Sequence, residues 1–180
     1  MKTITNFACF IAIAAFAAGC VTQTTPQVAT IQPTIPFDES ALQPFAGKGT
    51  STITGQAFLK TTGGEVKYGA GNDVSLIPVT QYTTKRVEAF VAASDPIVAG
   101  ILAPQHIDLR LQKYIRTVVA DGSGNFEFQK IPVGDYYIVC PIFWTVANPD
   151  LGITDQAGGV ANTKTHIGDG ETVKVVVTLQ

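Results

Sequence analysis

The sequence predicts an all-β fold: seven short strands in a Greek-key β-sandwich, interrupted by one short helical insertion. Three observations carry that expectation. Short runs alternate apolar and polar side chains, the period-two pattern of half-buried strands. Gly- and Asn-containing turns separate them. Thr, Val, Ile and Gly are abundant, while charged residues make up only 14% of the 180 residues, against roughly 25% in ordinary globular domains.

In chain order, Ile53–Leu59 places Ile53, Ala57 and Leu59 on one face and Thr54 and Gln56 on the other. Gly63-Gly64 and Gly69–Asn72 are turns. A strand follows at Asp73–Val79, closed around Pro78. Thr84–Ala93 breaks the pattern, with Val87, Phe90 and Val91 at helical spacing, Thr83 or Thr84 as N-cap, and Asp95-Pro96 as the stop. An irregular excursion then runs through Pro104 to Leu111. Ile115–Ala120 and Asn125–Gln129 flank Asp121-Gly122-Ser123-Gly124, which reads as a hairpin with Phe126 and Phe128 facing in. Lys130–Asp135 turns into a long apolar strand, Tyr136–Trp144. Ala147–Gly159 reads as a loop and, with the 80–112 insertion, as a partner-contact surface. The last strand, Thr172–Leu179, points Val173, Val175, Val177 and Leu179 inward and Lys174 and Thr178 outward.

These strands fall within one domain, residues 46–180, large enough to bury about two thirds of its unfolded surface. Residues 20–45 read as a tether rich in Thr, Pro and Gln, in which Pro26, Pro33, Pro36 and Pro44 favour extended backbone. Its reach lies between ~25–30 Å as a coil and ~75 Å fully extended. Residues 1–19 form a leader, with Lys2, an apolar run over 7–18, and small residues leading into Cys20. The run is shorter than the roughly twenty residues of a spanning helix and matches a cleaved signal. Ala17-Ala18-Gly19-Cys20 resembles a bacterial lipobox, with Ala17 where leucine is usual. That resemblance implies a signal peptide of 1–19 and palmitate-type acylation at Cys20, and two or more chains make a stable membrane anchor. Val21, where Gram-negative lipoproteins carry Asp for inner-membrane retention, implies the outer membrane. The alternative is cleavage after Ala15-Phe16-Ala17, which leaves Cys20 a free thiol.

Without the leader the chain carries eleven basic and fourteen acidic residues. No basic patch is available for a phosphate backbone, so nucleic acid is not an expected partner. Cys140 sits in an apolar run and reads as a small buried hydrophobe. His106 and His166 have no near partner at metal-ligand spacing, and no nucleophile elbow, P-loop, zinc-protease or dinucleotide motif is present. No metal or other cofactor is expected. Asp121, Ser123, Asn125 and Glu127 alternate like a calcium loop, but Phe126 replaces its obligatory glycine and Pro132 its final acid. Tyr136, Tyr137, Phe143 and Trp144 read either as core or, through Trp144 and Tyr137, as a platform that stacks on sugar rings.

The Gly55–Phe58 start, the Asn72–Pro78 strand, the run Asp121-Gly122-Ser123-Gly124-Asn125-Phe126-Glu127-Phe128 and Ile131-Pro132-Val133-Gly134-Asp135-Tyr136 together resemble the carboxypeptidase regulatory-like domains. The resemblance covers residues 50–79 and 113–180 and implies a prealbumin-like (transthyretin-like) sandwich acting as an accessory, non-catalytic module. The catalytic hydroxyisourate hydrolases of this fold end in Tyr-Arg-Gly-Ser, whereas this chain ends Val177-Thr178-Leu179-Gln180. The expectation is therefore a non-enzymatic, membrane-anchored interaction or scaffolding module of the cell envelope, with an envelope protein as partner. The alternative is a lipoprotein that binds glycan or peptidoglycan, and a third is a hydrolase whose site assembles in an open cleft from His106 or His166 with Cys140 or an acid.

Overall fold

A computed structural model describes residues 35–93, 108–148 and 152–179. The leader, Cys20, Val21, His106 and the apolar stretch around Ile97–Leu102 lie outside the described residues. The strands are β1 (Ser51–Lys60), β2 (Val66–Tyr68), β3 (Asp73–Pro78), β4 (Arg116–Val119), β5 (Asn125–Ile131), β6 (Gly134–Asn148), β7 (Ile153–Ile167) and β8 (Thr172–Val177), with one helix, α1 (Gln81–Ala93). They form two four-stranded sheets. In the first, β1 is central, flanked by β5 and β2 and, on its other edge, by β8 in parallel. The second runs β4-β3-β6-β7, all antiparallel.

The all-β sandwich with a short helix is thus what the alternation predicted, with eight strands among the described residues instead of seven. The core lies between the sheets, where Ile53, Ala57 and Leu59 of β1 meet Leu76, Ile138, Cys140 and Ile167 from the other layer. Alternation dictates this, because every second residue of β1 is buried. Val173, Val175 and Val177 point inward as expected. Leu179 does not: it lies beyond β8 and is half-exposed.

Four expectations are corrected. The Asp121–Gly124 turn does not close a hairpin, since β4 pairs with β3 and β5 with β1, so the turn arches from one sheet to the other. Turn chemistry is common to hairpins and arches; only the pairing partners differ. Asp121 ties the turn by accepting from the Ser123 and Asn125 amides at 2.8 Å each and from Asn125 Nδ2. Gly124 then fits against β1 with φ +76°, where a Cβ would stand 2.4 Å from the Ala57 carbonyl oxygen.

Ala147–Gly159 is not a loop, because its described residues belong to a long hairpin in which β6 and β7 pair from Gly134↔Ile167 to Asn148↔Ile153. The small and polar residues of β7 hid a strand that its apolar partner β6 holds in place. The helix begins at Gln81, and its N-cap is Thr80, not Thr83 or Thr84. Thr80 Oγ1 accepts from the Thr83 amide at 3.1 Å while Thr83 Oγ1 accepts from the Thr80 amide at 2.8 Å, a reciprocal cap.

The tether is also shorter than its composition implies. Residues 40–45 form a 3₁₀ turn whose Leu42 is fully buried with Tyr82, Leu111 and Tyr114. Phe37 meets Tyr82 edge-on at 5.2 Å and lies under the Arg110 guanidinium. Lys113 and Tyr114 both donate to Glu39, holding its carboxyl below the ordinary range.

Candidate ligand-binding face

The two sheets present different outer surfaces. On the second, α1 lays Val87 and Val91 over Ile77, Tyr137, Val139 and Val160 and covers the middle of that face, while Val119, Phe143 and His166 on the same side stay exposed. On the first, no described element covers the residues between its core positions. Across it run three rows set by register. Glu127, Thr54 and Lys174 share one row, and Asn125, Gln56 and Val176 the next. Phe58 and Tyr68 stand directly opposite each other in the third. Val66 and Tyr68 are exposed, as are Lys60, Lys174 and Val176. The polar side chains are partly ordered: Gln129 Nε2 donates to Glu127 Oε1 at 2.6 Å, and Gln56 Nε2 to the Ser123 carbonyl at 2.8 Å. The result is an open surface with hydroxyl, amide and charged groups at one end and an aromatic pair at the other.

Trp144 and Tyr137 do not form a platform together, because residues of opposite parity on β6 face opposite sides of its sheet. Trp144 packs against the rim of the main core with the Lys67 ammonium 5.8 Å from its ring centre. Tyr137 packs under α1, where its hydroxyl donates to Thr84 Oγ1 at 3.3 Å. Tyr136 is core, its hydroxyl bonded to the Pro132 carbonyl at 2.8 Å and its pKa pushed up to about 12 by burial.

The other chemistry-bearing residues are equally dispersed. Cys140 is fully buried on the inner face of β6, and desolvation pushes its thiol up to about 11. His166 is exposed on the outer face, with Nδ1 3.0 Å from Asp135 Oδ1. The sheet separates the two, so they do not form a thiol–imidazole pair. Among the described residues no three His, Cys, Asp or Glu side chains gather as metal ligands. Asp121 spends its carboxylate on its own turn, and those same bonds lower its pKa. Nor is any described helix long and apolar enough to cross a membrane.

Comparison with known proteins adds one informative relative. A crystal structure described as a "putative carbohydrate binding protein" from Pseudomonas aeruginosa matches with a TM-score of 0.70 and 27% identity, covering 81% of this chain and 99% of that one. The major pilin subunit of Bacillus cereus matches with a TM-score of 0.39 and 16% identity, covering 72% of this chain and 30% of the pilin. No family model matches the chain, and no curated protein matches it.

The sequence reading missed Phe58 and Tyr68 as a pair. Phe58 lies on the outward side of β1, and Tyr68 on a three-residue strand too short to announce itself. The available signal was Glu65-Val66-Lys67-Tyr68, which alternates immediately after the Gly63-Gly64 turn.

Proposed function

We propose that this chain is a non-catalytic envelope lipoprotein whose sandwich binds glycan on the open face of the first sheet. The supporting observation is the coincidence of two facts. A relative similar over nearly its whole length is described as a carbohydrate binder, and one sheet of this chain pairs an exposed Tyr68 with a half-buried Phe58 beside hydroxyl and amide side chains. Aromatic rings stack on the apolar faces of sugars, and neighbouring polar groups fix their hydroxyls. This reading takes up the glycan alternative in preference to a protein scaffold, and moves the aromatic site from Trp144 and Tyr137 to Phe58 and Tyr68.

The carboxypeptidase regulatory-like assignment, acylation of Cys20 and outer-membrane placement belong to the same proposal. With residues 35–45 docked on the domain, the spacer after Cys20 is 21–34, reaching at most about 50 Å. Intact mass spectrometry of detergent-extracted protein, with Cys20→Ser as control, tests the anchor; a chain starting at Ala18 without lipid overturns it. Retention on a panel of immobilised polysaccharides, including purified peptidoglycan, tests the binding. Tyr68→Ala is expected to lose retention while keeping its circular dichroism, and a wild-type chain retained by no glycan overturns the reading.

A further inference from the structure

The open face is not electrically uniform along its length. Lys174 stands beside Thr54 on β1, and Lys60 is six residues further along the same strand. At 3.3–3.4 Å per residue the two ammonium groups are anchored about 20 Å apart. Between them lie Val176, beside Gln56, and then the Phe58–Tyr68 pair. Among the described residues neither lysine has a hydrogen-bond or ion-pair partner, whereas Lys67, Lys85 and Lys113 each hold a carboxylate. The carboxylate on this face, Glu127, is two strands from Lys174, about 10 Å away, and its Oε1 accepts from Gln129.

An apolar, aromatic strip with an unneutralised cation at each end is complementary to an extended chain whose rings are apolar on their faces and anionic at their edges. Resting on the glycan reading above, we infer that the ligand is a linear acidic polysaccharide, a polymer of uronic acid residues. Its sugar faces lie along Val176, Phe58 and Tyr68, and its carboxylates meet Lys174 and Lys60. A neutral glycan uses the same strip without the two charge contacts. The lysines therefore select among glycans, and the aromatic pair holds any of them.

Matched polymers separate these roles: polygalacturonate and its fully methyl-esterified form, which keeps the backbone and removes the charge. Isothermal titration of the full-length chain in detergent is expected to show tighter binding of polygalacturonate. That advantage should shrink as sodium chloride rises, since exposed ion pairs are screened. The Lys60→Ala/Lys174→Ala variant is expected to weaken polygalacturonate binding about 2- to 30-fold, the range of two exposed ion pairs, and to leave the ester unchanged. Tyr68→Ala should weaken both polymers alike. Equal wild-type affinity for the two polymers, a preference for the ester, or no binding of polygalacturonate overturns the inference. So does a double lysine variant that binds polygalacturonate as wild type does. Any of these results, with retention by other glycans still lost in Tyr68→Ala, leaves the glycan reading standing; absence of retention by every glycan removes both.

Discussion

Replacing Gly124 with alanine separates an arch from a hairpin, because the two arrangements charge differently for one methyl group. In a free hairpin turn the only cost is the left-handed backbone, about 1–2 kcal/mol for a non-glycine residue. In the arch the new Cβ would also stand 2.4 Å from the Ala57 carbonyl oxygen and 3.2 Å from the Gly69 nitrogen. Both are backbone atoms and cannot rotate away. Moving the turn outward strains two bonds that converge there, Ala57 N–H to the Gly124 carbonyl at 2.8 Å and Gly69 N–H to the Ala57 carbonyl at 2.9 Å. At about 1 kcal/mol net for each, Gly124→Ala should cost ~3–4 kcal/mol in all.

Two controls divide that sum. Gly71 has φ +72° with nothing within 4 Å of its would-be Cβ, so Gly71→Ala should cost only the conformational part, ~1–2 kcal/mol. Gly122 has open space and no left-handed φ, so Gly122→Ala should fall within about 0.5 kcal/mol of wild type. Urea denaturation followed by Trp144 fluorescence measures all three. If Gly124→Ala costs no more than Gly71→Ala, the turn does not lean on β1 and the arch is wrong.

Further predictions concern other parts of the molecule. Leu42→Ala should cost less than the ~2–5 kcal/mol of a main-core truncation, because the 35–45 segment can detach; limited proteolysis should cut within it while the sandwich stays intact, and unchanged resistance there would count against the docking. Cys140 should resist iodoacetamide at pH 8 in the folded chain and react once urea unfolds it, as full burial and a thiol pushed up to about 11 require; labelling at native rates would contradict its place in the core. The lowered pKa of Asp121 implies a stabilisation present above its unfolded value, near pH 3.9, and lost as pH falls through the lower folded value. Asp121→Asn should therefore flatten the acid limb of the stability–pH curve, and an unaltered limb would show that the turn bonds do not depend on charge.

What could be read from the sequence, and what could not, follows from the range of the forces involved. The inward residues of β1, β5 and β8 were legible because alternation is local and each strand carries its own record of which face is buried. Strand partners were not. Asp121–Gly124 has the chemistry of a tight turn in either arrangement, and what sends β5 to β1 instead of β4 is a core built on residues far away in the sequence, with Gln56 opposite Asn125 and Ser51 opposite Ile131. β7 was missed for a related reason. Ala157, Gly158, Gly159 and Asn162 have no strand preference of their own and are held by β6. The candidate face inverts the case: Phe58 and Tyr68 meet only because β1 and β2 pair, whereas Trp144 and Tyr137, conspicuous in one apolar run, are separated by the parity of their own strand.

The parallel pairing of β1 with β8 also dictates when the fold can form. Thr52–Ala57 is completed on one edge by Thr172–Val177, so the central strand of the first sheet waits for nearly the last residues of the domain. Closing a loop of that length is entropically costly and topologically slow. A chain whose last strand has not yet been synthesised cannot finish its core. Until that strand arrives β1 keeps an open edge, and a product truncated before Thr172 keeps it permanently, with the aggregation hazard that an unpaired strand carries.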